Sequence, residues 1–504
     1  MLSDPRGSSL AVLAEQSEKR FGAESSLVFE GTTTTSAELG ALGRRFAAGL
    51  SSIGVRAGDR VAVCMANCPE VLATYHAVWR LGAAVTPLLF LLSEDELQHA
   101  LSDSGAAAIV TTPEFLPKVL AAASGLDVRV VVTGAGTGGA SSFDELASGE
   151  EAPLVDADPT SMAALLYTGG TTGRSKGVML SHDALSSAAH AAVLASEDDD
   201  YGVSLLPLPL AHAYGLLVAT MSLHAVRPNR TVLMRWFDPV GWLTLAQDER
   251  VQTGATVPTM LRLLAAQPLE DYDLSALRRL VSGSAPLPAE VRDEWLRRLP
   301  SVEVVEGYGC SEIAALASTT PTGQARAGSV GRAAPGVQLR IELPDGGDAG
   351  PDEDGEICIL TPGLMTGYWN DAETTALAVR DGWFHTGDVG HLDSDGYLYV
   401  VDRMKDIIIR GGFNVYPRDV EEALIRHPDV AVCAVIGRPD EKQGEEIVAF
   451  VQLVPGAAAT PDDLVAFGRE HLSAVKYPRE VHVVDTLPLT SIGKLDRKAL
   501  RSRV

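Results

Sequence analysis

Near the start of the chain, segments whose apolar residues repeat with the period of a helix alternate with short runs that are apolar almost throughout. The segment SAELGALGRRFAAGLSSIG, Ser36–Gly54, repeats apolar residues at the helical period and ends on a glycine, a common helix terminator. DRVAVCMA, Asp59–Ala66, is apolar almost throughout and predicts a short buried strand. A second helical segment, Cys68–Gly82, precedes apolar strands in AAVTPL and AAAIVTT. This alternation of helices with continuously apolar strands predicts parallel sheets with helices on both faces.

The pattern changes twice further along the chain. At Asp273–Leu299 it predicts a helix, a strand, a Gly-Ser turn and a second helix. Near residue 335, the short strands PGVQLRIE, GEICIL and GYLYVVDR predict a smaller β-rich unit. The remaining tail contains a strand, a helix, two strands and a helix, enough for a small α+β domain. We therefore predict an α/β protein with a large domain at 1–402, made of parallel α/β sheets plus a β subdomain, and a small domain at 403–504.

Composition narrows the class of protein. The chain has 504 residues, of which 46% are hydrophobic, so it can bury several domain cores. With 41 basic and 66 acidic residues its net charge is −25, which argues against nucleic acid or an anionic membrane as a partner. Five scattered cysteines indicate reduced, intracellular thiols. No signal peptide is recognisable and no apolar run reaches the ~18 residues of a membrane span, so we expect a cytoplasmic location.

A glycine- and threonine-rich loop follows the apolar strand MAALLY. It reads YTGGTTGRSKG, Tyr167–Gly177, and leads into a second apolar segment. Glycine N–H groups and threonine hydroxyls can surround a polyphosphate, and Lys176 can neutralise it. A merely solvated loop needs neither the paired threonines nor the lysine. The order of a standard P-loop does not fit, because Ser175 precedes the lysine and Gly177 follows it.

This loop resembles the phosphate loop Y-T-S-G-T-T-G-x-P-K-G of the adenylate-forming superfamily, which includes acyl-CoA synthetases, aryl-CoA ligases, luciferases and adenylation domains. Gly169 stands where serine is usual and Ser175 where proline is usual, but the threonines and the lysine are kept. Further stretches resemble the family's other motifs in order: PLPLAHAYG, VSGSAPLP, EGYGCSE, GWFHTGDVG, VDRMKDIIIRGGFNVYPRDVE and LPLTSIGKLDR. The resemblance covers almost the whole chain, and the acyl-CoA synthetase branch fits it best.

The resemblance implies a set of site residues. Lys494 would be the catalytic lysine, His212 would lie near the reacting carboxylate, and Glu312 would hold Mg²⁺ together with Thr172. The ATP- and AMP-binding positions would be Thr168, Gly170, Thr171, Thr172, Gly173, Lys176, Gly283, Ser284, Ala285, Glu306, Gly307, Tyr308, Gly309, Ser311, Asp388 and Arg403. Lys405 would be the hinge of a mobile small domain, and the positions facing coenzyme A would be Gly411, Gly412 and Phe413.

Taken singly, several of these residues have ordinary structural explanations. Glu312 and Asp388 are of a type that usually lies on the surface, His212 sits among apolar neighbours, and Lys494 lies in a loop near the end of the chain. Their positions within motifs favour the functional interpretation. Joining a carboxylate to ATP also requires fixed positive charge where negative charge develops.

The implied reaction has two steps. A carboxylic acid and Mg²⁺-bound ATP give acyl-AMP and pyrophosphate, and coenzyme A then takes the acyl group and releases AMP. Within the same family, a carrier-protein thiol or another nucleophile could accept the acyl group instead. A non-catalytic nucleotide-binding protein is the alternative from a different class. The oligomeric state stays open, with a homodimer among the options.

The predicted acyl pocket is mostly apolar. Its wall would consist of Ala213, Tyr214, Leu216, Leu217, Cys310, Ile313 and Ala314. An unpaired charge is costly to bury against such a wall, whereas each buried methylene contributes roughly 0.8 kcal/mol. Gly307 has no side chain that could bind a second carboxylate group on the substrate. We therefore expect a monocarboxylic acid with an apolar tail, first a medium-to-long fatty acid and second an aryl acid of the phenylpropenoic type.

Overall fold

The computed structural model describes residues 7–168, 175–196, 201–489 and 495–504. Within these ranges the α-helices are α1 Leu10–Phe21, α2 Ser36–Ser52, α3 Pro69–Arg80, α4 Glu94–Ser104, α5 Leu116–Ala123, α6 Phe143–Leu146, α7 His182–Ala195, α8 Ala213–Met221, α9 Pro239–Asp248, α10 Pro258–Ala265, α11 Ala289–Arg298, α12 Ala372–Ala378, α13 Pro417–Leu424, α14 Pro461–His471 and α15 Arg497–Arg501. Short 3-10 helices lie at Pro113–Phe115, Ser222–His224, Leu269–Asp271, Ser311–Ile313 and Met404–Asp406.

The strands of the same ranges are β1 Ser26–Phe29, β2 Thr32–Thr35, β3 Arg60–Cys64, β4 Ala84–Pro87, β5 Ala108–Thr111, β6 Arg129–Val132, β7 Ser141–Ser142, β8 Met162–Thr168, β9 Lys176–Ser181, β10 Val203–Leu206, β11 Arg230–Leu233, β12 Thr253–Thr256, β13 Arg279–Ser282, β14 Glu303–Tyr308, β15 Ser318–Thr319, β16 Arg332–Ala333, β17 Gln338–Glu342, β18 Gly355–Leu360, β19 Gly367–Tyr368, β20 Val379–Arg380, β21 Trp383–Leu392, β22 Leu398–Arg403, β23 Ile408–Arg410, β24 Phe413–Val415, β25 Val430–Asp440, β26 Gly444–Leu453 and β27 Glu480–Val483.

Two large sheets form the centre of the first part of the chain. Their strand orders are β16-β15-β14-β13-β12-β10-β11-β1-β2 and β19-β9-β8-β4-β3-β5-β6-β7. The central neighbours in both sheets run parallel, and antiparallel pairs occur towards β2, β16 and β19. The predicted parallel α/β sheets are therefore confirmed.

Helices cover these sheets because their apolar faces pack against the apolar side chains of the strands. Trp242, Leu261 and Trp295, from α9, α10 and α11, are fully buried in one core with the strands of the first sheet. Several helices begin at capping boxes, as where the side chain of Thr35 and that of Glu38 satisfy free backbone N–H groups at the start of α2. Local capping and burial thus agree on where these helices begin.

One sequence prediction is wrong. The residues before β13, Asp273 to Arg278, form turns and extended backbone rather than the predicted helix. The carboxylate of Asp273 accepts the N–H of Ser275 at 3.1 Å, which competes with helix formation. Leu274 and Leu277 are buried within this short connection, so the apolar spacing reflects burial and not a helix.

Two smaller sheets follow. One has the order β17-β18-β21-β20 with β22 beside β21, and the other has β24-β23-β26-β25 with β27 beside β26. The second is packed by α13 and α14 around buried residues such as Val420 and Leu464. The predicted short strands and the α+β tail are both present.

Contacts divide the chain into two compact units. The first comprises 7–168, Ser175–Leu339 and Ile359–Phe384, and the second comprises Arg340–Cys358 and His385–Val504. The second unit thus includes residues before the predicted boundary at 402, because strands of the third sheet are counted with the tail. The functional boundary between 402 and 403 stays a prediction.

Searching the described helices for one long and apolar enough to cross a membrane finds none. All five cysteines are free, and four of them are buried.

Candidate active site

Strands β8 and β9 carry the two ends of the predicted phosphate loop. β8 is buried along Ala163–Leu166 and pairs antiparallel with β9, so that Thr168 stands opposite Lys176. Both residues are half-buried, and the Thr168 hydroxyl donates to the Lys176 carbonyl oxygen at 3.5 Å. The other predicted positions of this loop lie outside the described residues: Gly170, Thr171, Thr172 and Gly173.

The side chain of Lys176 is held by residues of β19 and the start of α12. Its Nζ lies 3.5 Å from Asp371 Oδ2 and donates to Thr374 Oγ1 at 3.1 Å. The ring centre of Tyr368 lies 5.4 Å from the same nitrogen. Asp371 also caps α12, where the Thr374 N–H donates to its carboxylate and lowers its pKa. The loop lysine therefore already has a counter-ion within the protein.

The carboxylate of Glu312 is held by the same segment. Tyr368 donates its hydroxyl to Glu312 Oε1 at 2.9 Å, and the Met365 N–H donates to the Glu312 carbonyl oxygen at 2.7 Å. Burial and the neighbouring Glu312 carboxylate raise the pKa of Tyr368, so its hydroxyl remains a donor at neutral pH. The second oxygen of this carboxylate has no hydrogen-bond partner among the described residues, and carboxylate oxygens are suitable ligands for Mg²⁺.

The backbone beside Glu312 is strained. Ala314 and Ala315 have φ of 53° and 77°, and the Ala315 N–H donates to the Cys310 carbonyl oxygen at 2.8 Å. Ser284, in the predicted adenine loop, has φ of 69°. Residues other than glycine rarely adopt these values, and such positions cluster at functional sites. Two of the predicted motif loops thus share this feature.

Those two loops leave neighbouring strands of the first sheet. β13 and β14 are parallel with Ser282 opposite Glu306, so Gly283 and Gly307 lie at the same edge, where α/β sheets bind ligands. The carboxylate of Glu306 is buried and accepts the Leu287 N–H at 2.9 Å. Glu306 therefore joins the two loops, and its contact with a nucleotide stays a prediction. The other predicted positions here are half-buried or exposed: Tyr308, Gly309 and Ser311 half-buried, Ser284 and Ala285 exposed.

His212 begins α8 and is half-buried. Its Nδ1 accepts the Tyr214 N–H at 3.2 Å, so the neutral ring carries its proton on Nε2. The Tyr214 hydroxyl donates to the Val281 carbonyl oxygen at 3.2 Å, and a Cβ at Gly283 would lie 3.2 Å from the ring. The ring of Tyr214 therefore lies between α8 and the end of β13.

The predicted acyl wall divides into two groups. Five of its members are buried, Ala213, Leu216, Leu217, Ile313 and Ala314, and two are half-buried, Tyr214 and Cys310. Only the second group presents much side-chain surface, so Tyr214 and Cys310 are the wall residues best able to contact a bound acid.

Asp388 and Arg403 are directly opposite each other in the second unit. They are partners in the antiparallel pair of β21 and β22, and Arg403 Nε lies 3.2 Å from Asp388 Oδ1. The Asp388 side chain is 10% exposed and that of Arg403 is 51% exposed. The guanidinium can thus orient the carboxylate predicted to bind ribose while keeping donors free for an anion.

The predicted hinge and coenzyme A positions are exposed in the same unit. Lys405 lies in the 3-10 helix between β22 and β23. Gly411 and Gly412 have φ of 58° and 82° and form the two-residue turn of the β23–β24 hairpin, where such angles favour glycine. Phe413 follows and is 59% exposed. Lys494, the predicted catalytic lysine, lies outside the described residues.

One group of side chains in the second unit has the composition of a metal site. Ligand atoms of Glu342, Cys358 and His385 lie within 4.8 Å of one another. Arg340 donates to the carboxylate of Glu342, and burial raises the pKa of the Cys358 thiol to about 11. A fixed positive charge therefore already offsets the acid, and the thiol would have to lose its proton to bind a cation.

Sequence reasoning did not single out Tyr368, Asp371 or Thr374. The spacing of Asp371 and Thr374 is typical of a helix start, and that signal was available in the sequence. Their contacts to Lys176 and Glu312 join residues far apart in the chain, which no local pattern indicates.

Comparison with known proteins identifies the family. Residues 14–369 match the AMP-binding enzyme family, and residues 419–494 match the AMP-binding enzyme C-terminal domain. A feruloyl-CoA synthase from Amycolatopsis sp is 39% identical over 477 residues, covering 94% of each chain. A long-chain-fatty-acid–CoA ligase from Bacillus subtilis is 33% identical over 526 residues, covering 97% of this chain and 94% of the relative.

A solved structure shows the same fold. The amide bond synthetase McbA from Marinactinospora thermotolerans superposes with a TM-score of 0.88 at 32% identity, covering 98% of this chain and 99% of that one. The predicted fold and the predicted class of adenylate-forming acid–thiol ligase are confirmed by these matches. The chain belongs to the AMP-binding enzyme family, among its acyl- and aryl-CoA ligases.

Proposed function

We propose that this protein joins a phenylpropenoic acid, of the ferulate and 4-coumarate class, to coenzyme A with cleavage of ATP to AMP and pyrophosphate. Sequence reasoning ranked a medium-to-long fatty acid first and an aryl acid second. The observation that reverses this order is the position of the Tyr214 ring, fixed by the Val281 carbonyl and lying against Gly283. The likeness to feruloyl-CoA synthase supports the same choice.

The Tyr214 ring favours a flat acid for two reasons. An aryl ring can stack on its face, which adds to the apolar area that both rings bury. A long alkyl chain would instead need a deeper apolar channel, and other residues of the predicted acyl wall, such as Leu216 and Ile313, are already buried in the protein.

The chemistry follows from the charged residues. A carboxylate oxygen would attack the α-phosphorus of ATP, forming an acyl–phosphate bond as pyrophosphate leaves. Lys176 and Lys494 would offset the negative charge, and Asp388 would hold the ribose. The thiolate of coenzyme A would then attack the acyl carbon near Gly411 and Gly412, and AMP would leave with the bonding electrons of the broken C–O bond.

Mg²⁺ is part of the proposal. Glu312 would hold it, with Thr172 as a second ligand, because one carboxylate oxygen of Glu312 accepts from Tyr368 and the other has no hydrogen-bond partner in the part of the chain that the structure describes. When bound, Mg²⁺ would neutralise charge on the phosphates. The apolar acid, the cytoplasmic location and a homodimer also stay predictions.

An acid panel tests the proposal. We expect kcat/KM with ATP and coenzyme A to be highest for ferulate or 4-coumarate, lower for cinnamate and octanoate, and lowest for palmitate, malonate and alanine. Mass spectrometry of the thioester products provides the measurement. Tyr214→Ala should raise kcat/KM for octanoate relative to kcat/KM for ferulate, because the substitution opens the space now filled by the tyrosine ring. A panel led by palmitate or malonate would refute the proposed substrate class.

A second candidate acceptor is an amine, since the amide bond synthetase shares the fold over nearly its full length. The same panel with an amine in place of coenzyme A distinguishes the two: product formed only with the amine would overturn the thiol as acceptor.

A further inference from the structure

Tyr368 touches both of the charged groups that the proposed function assigns to ATP and its metal. The hydroxyl donates to Glu312 Oε1 at 2.9 Å, and the ring centre lies 5.4 Å from Lys176 Nζ. Cations are attracted to the face of an aromatic ring, and a phenol is a good donor to a carboxylate. One side chain thus contacts a predicted metal ligand and a predicted phosphate-binding lysine.

The position of Tyr368 is fixed by its own backbone. β19 pairs antiparallel with β9, which places Tyr368 opposite Val178. The Tyr368 N–H donates to Thr375 Oγ1 at 2.8 Å, and the Thr375 hydroxyl donates to the Asp371 carbonyl oxygen at 2.8 Å. A side chain attached to such a bonded segment loses little further freedom when it holds a partner.

The lysine is held less firmly than the glutamate. The side chains of Lys176 and Asp371 are 37% and 33% exposed, and ion pairs with this exposure contribute little to stability. The Lys176 ammonium can therefore leave Asp371 for a phosphate at little cost, while the ring of Tyr368 remains beside it. The carboxylate of Glu312 keeps its hydrogen bond during this exchange.

We propose that Tyr368 is a positioning residue, which holds the Glu312 carboxylate and the Lys176 ammonium in one fixed arrangement before Mg²⁺ and ATP bind. This inference rests on the proposed function. The hydroxyl of Tyr368 acts on the metal ligand and the ring acts on the lysine, so the two roles can be separated by substitution.

Two substitutions at Tyr368 provide the test. Tyr368→Phe removes only the hydroxyl, and we expect the Mg²⁺ concentration for half-maximal pyrophosphate release to rise about three- to tenfold, since Glu312 regains rotamer freedom. The KM for ATP should stay within about twofold of the parent value, because the ring remains. Tyr368→Leu removes the ring as well and should also raise the KM for ATP.

Controls separate positioning from a general structural effect. Tyr272→Phe removes a hydroxyl from a tyrosine packed against the core of the first sheet, and its Mg²⁺ titration should match the parent. In a Glu312→Gln background, Tyr368→Phe should cause no further change in the Mg²⁺ titration, because an amide at this position is no longer a charged metal ligand, however it is oriented. Additive effects of the two changes would show a merely structural role and overturn the inference.

Failure of the inference differs from failure of the proposed function. A parent protein that forms no thioester with any acid refutes the proposed function. A parent that forms thioester, with a Mg²⁺ titration shifted by Glu312→Gln and unchanged or improved by Tyr368→Phe, overturns only the role of Tyr368.

Discussion

At the scale of single residues, the close approach at Gly309 controls the loop that carries Glu312. A Cβ at this position would lie 2.0 Å from the Ala315 carbonyl oxygen, far inside van der Waals contact. Ala315 belongs to the strained turn that closes onto Cys310. The absence of a side chain at Gly309 therefore allows the turn to fold back over the end of β14.

Gly309→Ala should destabilise the protein and slow adenylation. Overpacking of this kind costs about 1–3 kcal/mol of unfolding free energy, because backbone must move to accept the methyl group. Urea unfolding and pyrophosphate release measure the two effects. Gly149→Ala is the matched control, since no atom lies within 4 Å of its added Cβ. Equal stability of the two variants would contradict the steric argument.

At the scale of elements, the 3-10 helix Met404–Asp406 connects β22 to β23 and contains the predicted hinge. Its Asp406 is buried and accepts from Arg501 at 2.8 Å, whereas Lys405 is exposed. The backbone at Lys405 is therefore accessible next to a fixed residue, which suits a rotation confined to a few bonds.

Lys405→Pro should spare adenylation and slow thioester formation by tenfold or more, because proline fixes φ near −65° and restricts the preceding Met404. The two half-reactions are measured as pyrophosphate release and as thioester formation from pre-made acyl-AMP. Lys405→Ala removes the same ammonium but leaves the backbone free. If both variants lose thioester formation equally, the effect belongs to the charge and the hinge prediction is wrong.

Elements were predictable from sequence where one local rule decided them. The periodic apolar positions of α2 and α3 and the continuous apolar runs of β3 and β8 predicted their structure correctly. The helix predicted before β13 does not form, because Asp273 makes a turn with Ser275. The two buried leucines of this connection have the spacing of a helix although the backbone is not helical. The contacts of Tyr368 were not predictable, because they depend on how distant strands pair.

At the scale of the whole molecule, three buried or half-buried histidines contribute to the response to acid. Burial lowers the pKa of His76, His182 and His224 to about 4 in each case. Asp158 and Asp183 oppose the shift at His182 but do not offset it. Each histidine is neutral in the folded protein and takes up a proton on unfolding near its ordinary pKa of about 6.5.

The contribution of these histidines to the unfolding free energy should therefore fall as pH drops from about 6.5 to 4 and level off below, because only the unfolded chain binds these protons in that range. Protonation of the many carboxylates also changes the net charge of −25, so a comparison with a variant is needed. His182→Asn keeps an acceptor for the Leu10 N–H, which now bonds Nδ1 at 3.2 Å.

His182→Asn should flatten the pH dependence by an amount on the order of 1–3 kcal/mol between pH 6.5 and 4. Urea unfolding at several pH values measures it. His471→Asn changes an exposed histidine and should follow the parent curve. Parallel curves for parent and His182→Asn would remove His182 from the explanation.

The two-residue pairing of β19 with β9 has a consequence for how this protein can diverge. Gly367 and Tyr368 pair with Met179 and Val178, and successive side chains of a strand point to opposite faces. Inserting or deleting one residue just before Gly367 would turn the phenol to the wrong face of the sheet, while many substitutions nearby would leave it in place. We therefore expect this segment to tolerate amino-acid substitutions during evolution better than insertions or deletions.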